Sequence, residues 1–210
     1  MEKYHKIHTV YKRDPENNLK TLLEGEYAKP EFEYLQNNIW EWDEKIDGTC
    51  IRIILENEQL IIKGKQEKSQ IQKSLYTKLE TIFQPRLKSM IEVFKDTNIC
   101  MYGEGFGTRI QKGGGNYRPD QGFILFDIKI GPWWLKRKDV IEIANKLNMD
   151  VVPKIGEGIL HEMIDYVKLG FNSTFGDFIA EGIVARPKIE LKARSGERII
   201  TKLKYKDFIR

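Results

Sequence analysis

The chain has very little cysteine. Cys50 and Cys100 are the two in 210 residues, which excludes a disulfide framework and a cysteine-rich zinc site. Long hydrophobic runs are missing as well: no stretch approaches the roughly 18 apolar residues of a membrane helix. Residues 1–14 mix charges throughout and lack the apolar core of a secretory signal. These absences lead us to expect a cytoplasmic monomer with no membrane partner. Repeats, low-complexity tracts and Pro/Gly/Ser-rich linkers are also absent, so a single domain over residues 1–210 is expected, with no C-terminal accessory domain. The two common phosphate-binding loops are missing too. Gly113-Gly114-Gly115 does not complete G-x-x-x-x-G-K-[S/T], and Gly103, Gly105 and Gly107 fail the G-x-G-x-x-G spacing. His5 and His8 lack a third ligand that would make them a metal site.

What is present is an ordinary globular composition, 40% hydrophobic and 31% charged, with a mild basic excess of +4 that favours a polyanionic partner. Residues 39–42 and 49–55 read as strands, the second rich in β-branched side chains, and residues 59–63 as a returning hairpin partner. Ile71, Leu75, Leu79 and Ile82 recur at helical spacing within residues 68–83, and residues 87–94 form a second short helix. Strands are expected over residues 99–102 and 123–130, with helices over 139–147 and 162–169. Strands over 178–186 and 198–205 follow, joined by a polar turn near Ser195-Gly196. Hairpins with helices to one side predict an α+β fold on antiparallel sheets.

The chemistry-bearing residues follow one another in a definite order. Lys45 stands in Glu44-Lys45-Ile46-Asp47-Gly48-Thr49, and a lysine amine is a nucleophile only when neutral. Partial burial and neighbouring cations favour that form, and Lys202 and Lys204 sit two apart on a predicted strand, hence on one face. Gly48 permits a tight turn and close approach of a ligand to the backbone. Asp47 is then a carboxylate near the lysine, and Glu104, between Gly103 and Gly105, is an uncrowded carboxylate suited to a ribose hydroxyl. Glu181 lies among Ile179, Ala180, Gly182, Ile183 and Val184, where a carboxylate needs a partner or a metal. Phe123 and Phe126 offer flat walls for a purine. Taken singly, each has a plainer reading: a turn lysine, a solvated strand edge, a charged loop tip, a core aromatic.

In sequence order, Lys45-Ile46-Asp47-Gly48, Glu104, Phe126-Asp127, Glu181 and Lys202-Leu203-Lys204 resemble the covalent nucleotidyltransferase superfamily of ATP-dependent polynucleotide ligases and mRNA capping enzymes. Gly103-Glu104-Gly105-Phe106-Gly107, Ile110-Gln111-Lys112 and Phe126-Asp127-Ile128 look most like the RNA ligase 2 class. The resemblance implies an adenylation domain whose antiparallel sheets enclose an ATP cleft. It implies ATP-dependent joining of 5′-phosphate and 3′-hydroxyl ends of nicked or broken RNA, as in RNA repair, through a lysyl-AMP intermediate on Lys45. Lys45, Asp47, Glu181, Lys202 and Lys204 would be catalytic. Glu44, Lys65, Glu104, Phe126, Val184 and Arg186 would contact the nucleotide, with Phe126 and Val184 around adenine. Glu181 and Asp47 would hold Mg²⁺ or Mn²⁺.

Two positions depart from that class. Asp47 replaces a histidine, in agreement with DNA ligases, and Cys50 replaces an arginine or asparagine. A DNA ligase, a GTP-using capping guanylyltransferase and a non-catalytic nucleotide- or RNA-binding module therefore remain open from sequence.

Overall fold

In a computed structural model that describes residues 3–209, the chain packs as two compact units that alternate along the sequence. One comprises Asp47–Val152 with the N-terminal residues up to His5, the other Lys6–Ile46 with the chain from Pro153 onward. No helix among the described residues is long and apolar enough to cross a membrane.

The unit containing Asp47–Val152 is built on a five-stranded antiparallel sheet in the order Gln59–Gly64, Thr49–Glu56, Ile99–Gly107, Gln121–Ile130, Trp133–Trp134. Alternation along Thr49–Glu56 sends Ile51, Ile53 and Leu55 to one face. Helices Lys73–Phe83, Leu87–Phe94 and Arg137–Lys146 cover it with Leu75, Leu79, Phe83, Met90, Val140 and Ala144. Each fully buried side chain of this kind contributes about 1.5–3 kcal/mol. Cross-strand pairs Cys50 with Glu104 and Arg52 with Tyr102 belong to the other face. There the buried Arg52 donates through Nε to the Gly64 carbonyl at 2.8 Å and through Nη2 to Glu67 at 2.9 Å, a pairing that an interior cation requires.

The unit from Lys6–Ile46 and Pro153 onward has its own five-stranded sheet, ordered His8–Thr9, Thr201–Lys204, Gly182–Pro187, Trp40–Glu44, Lys154–Gly158. Its pairings are antiparallel except that of His8–Thr9 with Thr201–Lys204. Trp40, Trp42, Ile183, Ala185 and Leu203 turn inward against Leu160, Met163, Ile164 and Val167 of helix Leu160–Leu169 and against Phe32 of helix Pro30–Tyr34. The indole of the fully buried Trp40 is satisfied by the Leu35 carbonyl at 2.9 Å.

The α+β class and the expected elements are present, with boundaries that shift where side chains or loops compete for the backbone. The helix expected over 68–83 starts at Lys73, because Gln66 donates to Ser69 Oγ and Ser69 donates back to the Gln66 carbonyl, both at 3.0 Å, closing a turn there. The strand expected from 178 starts at Gly182, because Ala180 and Ser173 spend their N–H groups on the carbonyls of Phe171 and Phe178. The strand expected over 198–205 narrows to Thr201–Lys204.

Gly48 is fixed by contact. A methyl group there would lie 2.3 Å from the Gly105 carbonyl oxygen and 2.8 Å from Glu104 Cγ. Gly48→Ala is therefore expected to destabilise the protein by about 1–3 kcal/mol, as overpacking does. Urea unfolding measures this, and a loss below about 0.5 kcal/mol, the range of ordinary surface changes, would show that the turn has room.

Candidate functional site

Strand Trp40–Glu44 delivers Lys45 at its end, where the Lys45 N–H donates to the Gly182 carbonyl at 2.9 Å. The Lys45 ammonium lies 2.6 Å from Glu181 Oε2, and the Lys204 ammonium lies 2.5 Å from Glu181 Oε1. One carboxylate thus bridges two lysines, where the sequence had suggested a lysine pair acting directly on Lys45. Burial alone would raise the Glu181 carboxyl, but Lys45 and Lys204 outweigh it and the group is held below its usual range. Lys202 shares the face of Lys204 by strand alternation. Lys45, Lys202 and Lys204 thus gather around Glu181 on one face, cationic groups of the kind an anionic phosphate needs. The approach is close because of Gly182, where a methyl group would meet the Leu203 carbonyl oxygen at 2.0 Å.

The same alternation sorts the remaining residues of this unit. Asp43, two residues before Lys45, faces Val184 across the ladder and pairs with Arg186 at 2.7 Å, both side chains nearly inaccessible. Asp43 was missed from sequence, although its i, i+2 relation to Lys45 was readable. Arg186 is consequently committed to Asp43, while Val184 is half-buried opposite Lys202. Glu44 points elsewhere than Asp43 and Lys45. It lies between Asp43 and Lys45 on the strand and so turns to the other face, where Ser173 Oγ, Thr174 N–H and Thr174 Oγ1 donate to its carboxylate at 2.5, 2.9 and 2.6 Å. Its side chain thereby anchors the Ser173-Thr174 loop.

The other predicted residues, Asp47, Lys65, Glu104 and Phe126, belong to the unit containing Asp47–Val152. The Asp47 N–H donates to Tyr117 Oη at 3.3 Å, and Gln111 Nε2 donates to the Gly48 carbonyl at 3.0 Å, so the 111–117 segment clasps the Asp47-Gly48 turn. Glu104 is half-buried directly across from Cys50. The register skips Phe126, since Tyr102 pairs with Asp127 while Gly103 pairs with Leu125. Such a bulge re-aims a side chain. The Phe126 ring stands edge-on to Tyr4 at 5.0 Å, and Tyr4 donates its hydroxyl to the buried Asp127 at 2.5 Å. Nothing in the sequence pointed to Tyr4. Lys65 is exposed, on the turn that Arg52 and Glu67 secure. The Cys50 thiol is pushed up to about 12, mainly by burial and then by Glu104, which excludes it as a nucleophile.

No group of three or more His, Cys, Asp or Glu among the described residues could hold a metal ion. Mg²⁺ and Mn²⁺ accept one or two carboxylates when substrate phosphates and water complete the shell. Glu181 fits that limited part, in competition with its two lysines. Asp47 is assigned to the other unit.

The depressed carboxyl of Glu181 has a pH consequence. Because its folded value lies below its unfolded one, the stability from this ion-paired cluster is present above the ordinary carboxylate range and is lost as pH falls through the folded value. In ¹³C NMR the Glu181 carboxyl should titrate below an ordinary exposed glutamate. Lys204→Met should move that midpoint upward, since desolvation then faces one cation. An unchanged midpoint would contradict the bridge.

No curated protein matches the chain. Among solved structures, a Naegleria gruberi RNA ligase variant without ligand aligns with a TM-score of 0.65 at 14% identity, covering 99% of this chain and 58% of that one. A variant of the same ligase with ATP and Mn aligns with a TM-score of 0.65 at 15% identity, covering 99% and 60%. The same ligase with pyrophosphate gives 0.62 at 18% identity, covering 97% and 58%. At these identities the likeness is one of fold, and the chain spans about 60% of those ligases' length. The sequence profile of the RNA ligase family matches residues 38–205, from ahead of Lys45 to just beyond Lys204, and the chain belongs to that family.

Proposed function

We propose that this chain is an ATP-dependent RNA ligase that joins 5′-phosphate and 3′-hydroxyl ends of nicked or broken RNA through adenylated Lys45. The observation that carries the reading is the bridge by which Glu181 holds Lys45 and Lys204 together on one sheet face. The family supports it, and the Naegleria ligase was solved with ATP and Mn and with AMP and Mn. Two free cysteines suit a reducing compartment, and we place the protein in the cytoplasm as a monomer.

Lys45 Nζ, once released from its ion pair and without its proton, attacks the α-phosphorus of ATP. A nitrogen–phosphorus bond forms, the bond to the bridging oxygen breaks, and pyrophosphate leaves. The adenylyl group passes to the RNA 5′-phosphate and Lys45 recovers its amine. The 3′-hydroxyl then attacks the activated phosphate and AMP leaves. Glu181 aims the lysine, while Lys202 and Lys204 oppose the charge that builds on the α-phosphate. Glu181 and, by the family resemblance, Asp47 would hold a divalent cation, which would supply further neutralisation of phosphate charge. Asp43 holds Arg186, and Asp47, Lys65, Glu104, Phe126 and Val184 keep the nucleotide-contact or catalytic roles that the family resemblance implies.

Incubation with ATP should add about 329 Da, the mass of a phosphoramidate-linked adenylyl group. Lys45→Ala should abolish the increment while the fold persists, because Glu181 keeps Lys204. Glu181→Gln should slow adenylation by roughly 10²-fold or more, the loss typical of removing one preorganised electrostatic group. Labelling by GTP in place of ATP would point to a guanylyltransferase, and no labelling at all would leave a binding module.

A further inference from the structure

A groove of about 570 Å³ in the unit containing Asp47–Val152 has no part in the adenylation chemistry above. One wall is a face of helix Lys73–Phe83 on which Ser74, Thr77, Lys78 and Thr81 recur at i, i+3, i+4 and i+7, while Leu75, Leu79 and Phe83 turn into the core. At the helical rise this polar row is about 10 Å long. Thr108 and Arg109 line the groove from the segment that follows strand Ile99–Gly107. Gln121 ties the two sides together, its Nε2 donating to Ser74 Oγ and to the Thr108 carbonyl, both at 3.1 Å.

The chemistry of this groove favours phosphate. Small-molecule pockets are lined mostly by apolar side chains, whereas Pro119 is the one wholly apolar residue lining this groove among the described residues. Arg118 and Lys78 both contact Asp120, at 2.6 and 2.9 Å, and hold its carboxyl down at about 2, so the three form a charged cluster with one positive charge in excess. Arg109 adds another. It is exposed, makes no ion pair among the described residues, and has φ of 63°, a left-handed conformation that costs a non-glycine residue energy. The backbone around it is pinned: Thr108 donates to the Asp120 carbonyl at 3.1 Å and Ile110 to the Gly107 carbonyl at 3.3 Å. A few residues on, Gln111 and Tyr117 hold the Asp47-Gly48 turn. One continuous segment therefore lines the groove and clasps the end of the lysine motif.

We infer that this groove is a subsite for the phosphodiester backbone of the RNA being joined, with phosphate oxygens bound by Arg109, Lys78 and the hydroxyls of Ser74 and Thr77. Hydroxyl and cationic side chains are the usual phosphate donors of polynucleotide-binding proteins. The inference rests on the ligase reading for the identity of the strand, and its test separates the two. The full chain is assayed for lysyl-AMP formation and, by fluorescence anisotropy across a salt series, for binding of a 5′-phosphorylated nicked RNA duplex and a matched DNA duplex.

Arg109→Gly, which suits the left-handed backbone, should weaken RNA binding roughly fivefold and reduce the slope of log affinity against log salt by about 0.7–0.9, one phosphate contact. Thr77→Glu, on the exposed helix face, should weaken it at least about tenfold by charge repulsion. Both variants should keep the wild-type thermal midpoint and adenylation within about twofold, the scatter of a neutral surface change. Wild-type adenylation and RNA binding with both variants unaffected would overturn the groove and leave the ligase reading intact. Salt-sensitive RNA binding weakened by both variants, without any lysyl-AMP, would sink the ligase reading and leave the groove standing. A wild-type chain that binds no duplex at low salt, or variant effects confined to DNA, would overturn the RNA subsite.

Discussion

Glu181 accepts from two lysines, one just past strand Trp40–Glu44 and one at the end of Thr201–Lys204, and the candidate chemistry of this chain depends on that contact. A carboxylate this sheltered is costly alone, and so are two crowded ammonium groups; together they satisfy one another. The contact also fixes geometry. Lys45 leaves the end of Trp40–Glu44 with its backbone hydrogen-bonded to Gly182, so the amine cannot wander, and Lys204 is held by the second oxygen of the same group. Gly182 makes the arrangement possible by letting its strand approach Leu203 and Lys204 without a side chain in the way.

Around that contact, a strand's two-residue period separates structural from chemical roles on adjacent residues. Asp43 and Lys45 serve one face of the sheet while Glu44 between them anchors the Ser173-Thr174 loop on the other. Trp40 and Trp42 fill the core from the same strand that presents the lysine. In the unit containing Asp47–Val152, Thr49–Glu56 does likewise: Ile51, Ile53 and Leu55 pack under helices, while Cys50 and Arg52 pair with Glu104 and Tyr102. Packed cores thus carry the strands that present Lys45, Lys204 and Glu104, which suits pre-organised charge.

Much of this was legible in the residues. The 3.6-residue period marked helices Leu87–Phe94 and Arg137–Lys146, a β-branched run marked Thr49–Glu56, and a strand was expected over 123–130 where Gln121–Ile130 stands. Helix Lys73–Phe83 was placed too early because a short side-chain-locked turn at Gln66–Ser69 mimics helical spacing without continuing it. The contacts of Glu44 with Ser173 and Thr174 were not legible, because alternation turns its side chain away from Lys45 towards a loop 129 and 130 positions along the chain. Phe126 sits at a bulge, and a one-residue register shift leaves no mark on composition or period.

The sequence by itself determined the order of the chemistry-bearing residues, the shared face of Lys202 and Lys204, and the turn that Gly48 permits after Lys45. Those are local properties, set by strand alternation and by the absence of a side chain. The tertiary structure decided which carboxylate meets which amine: Glu181 reaches Lys45 across 136 positions, and Tyr4 reaches Asp127 across 123. It also decided that a helix face and a distant loop line one groove. Such contacts depend on sheet register and on packing between elements far apart in the chain, and no local window of residues contains that information.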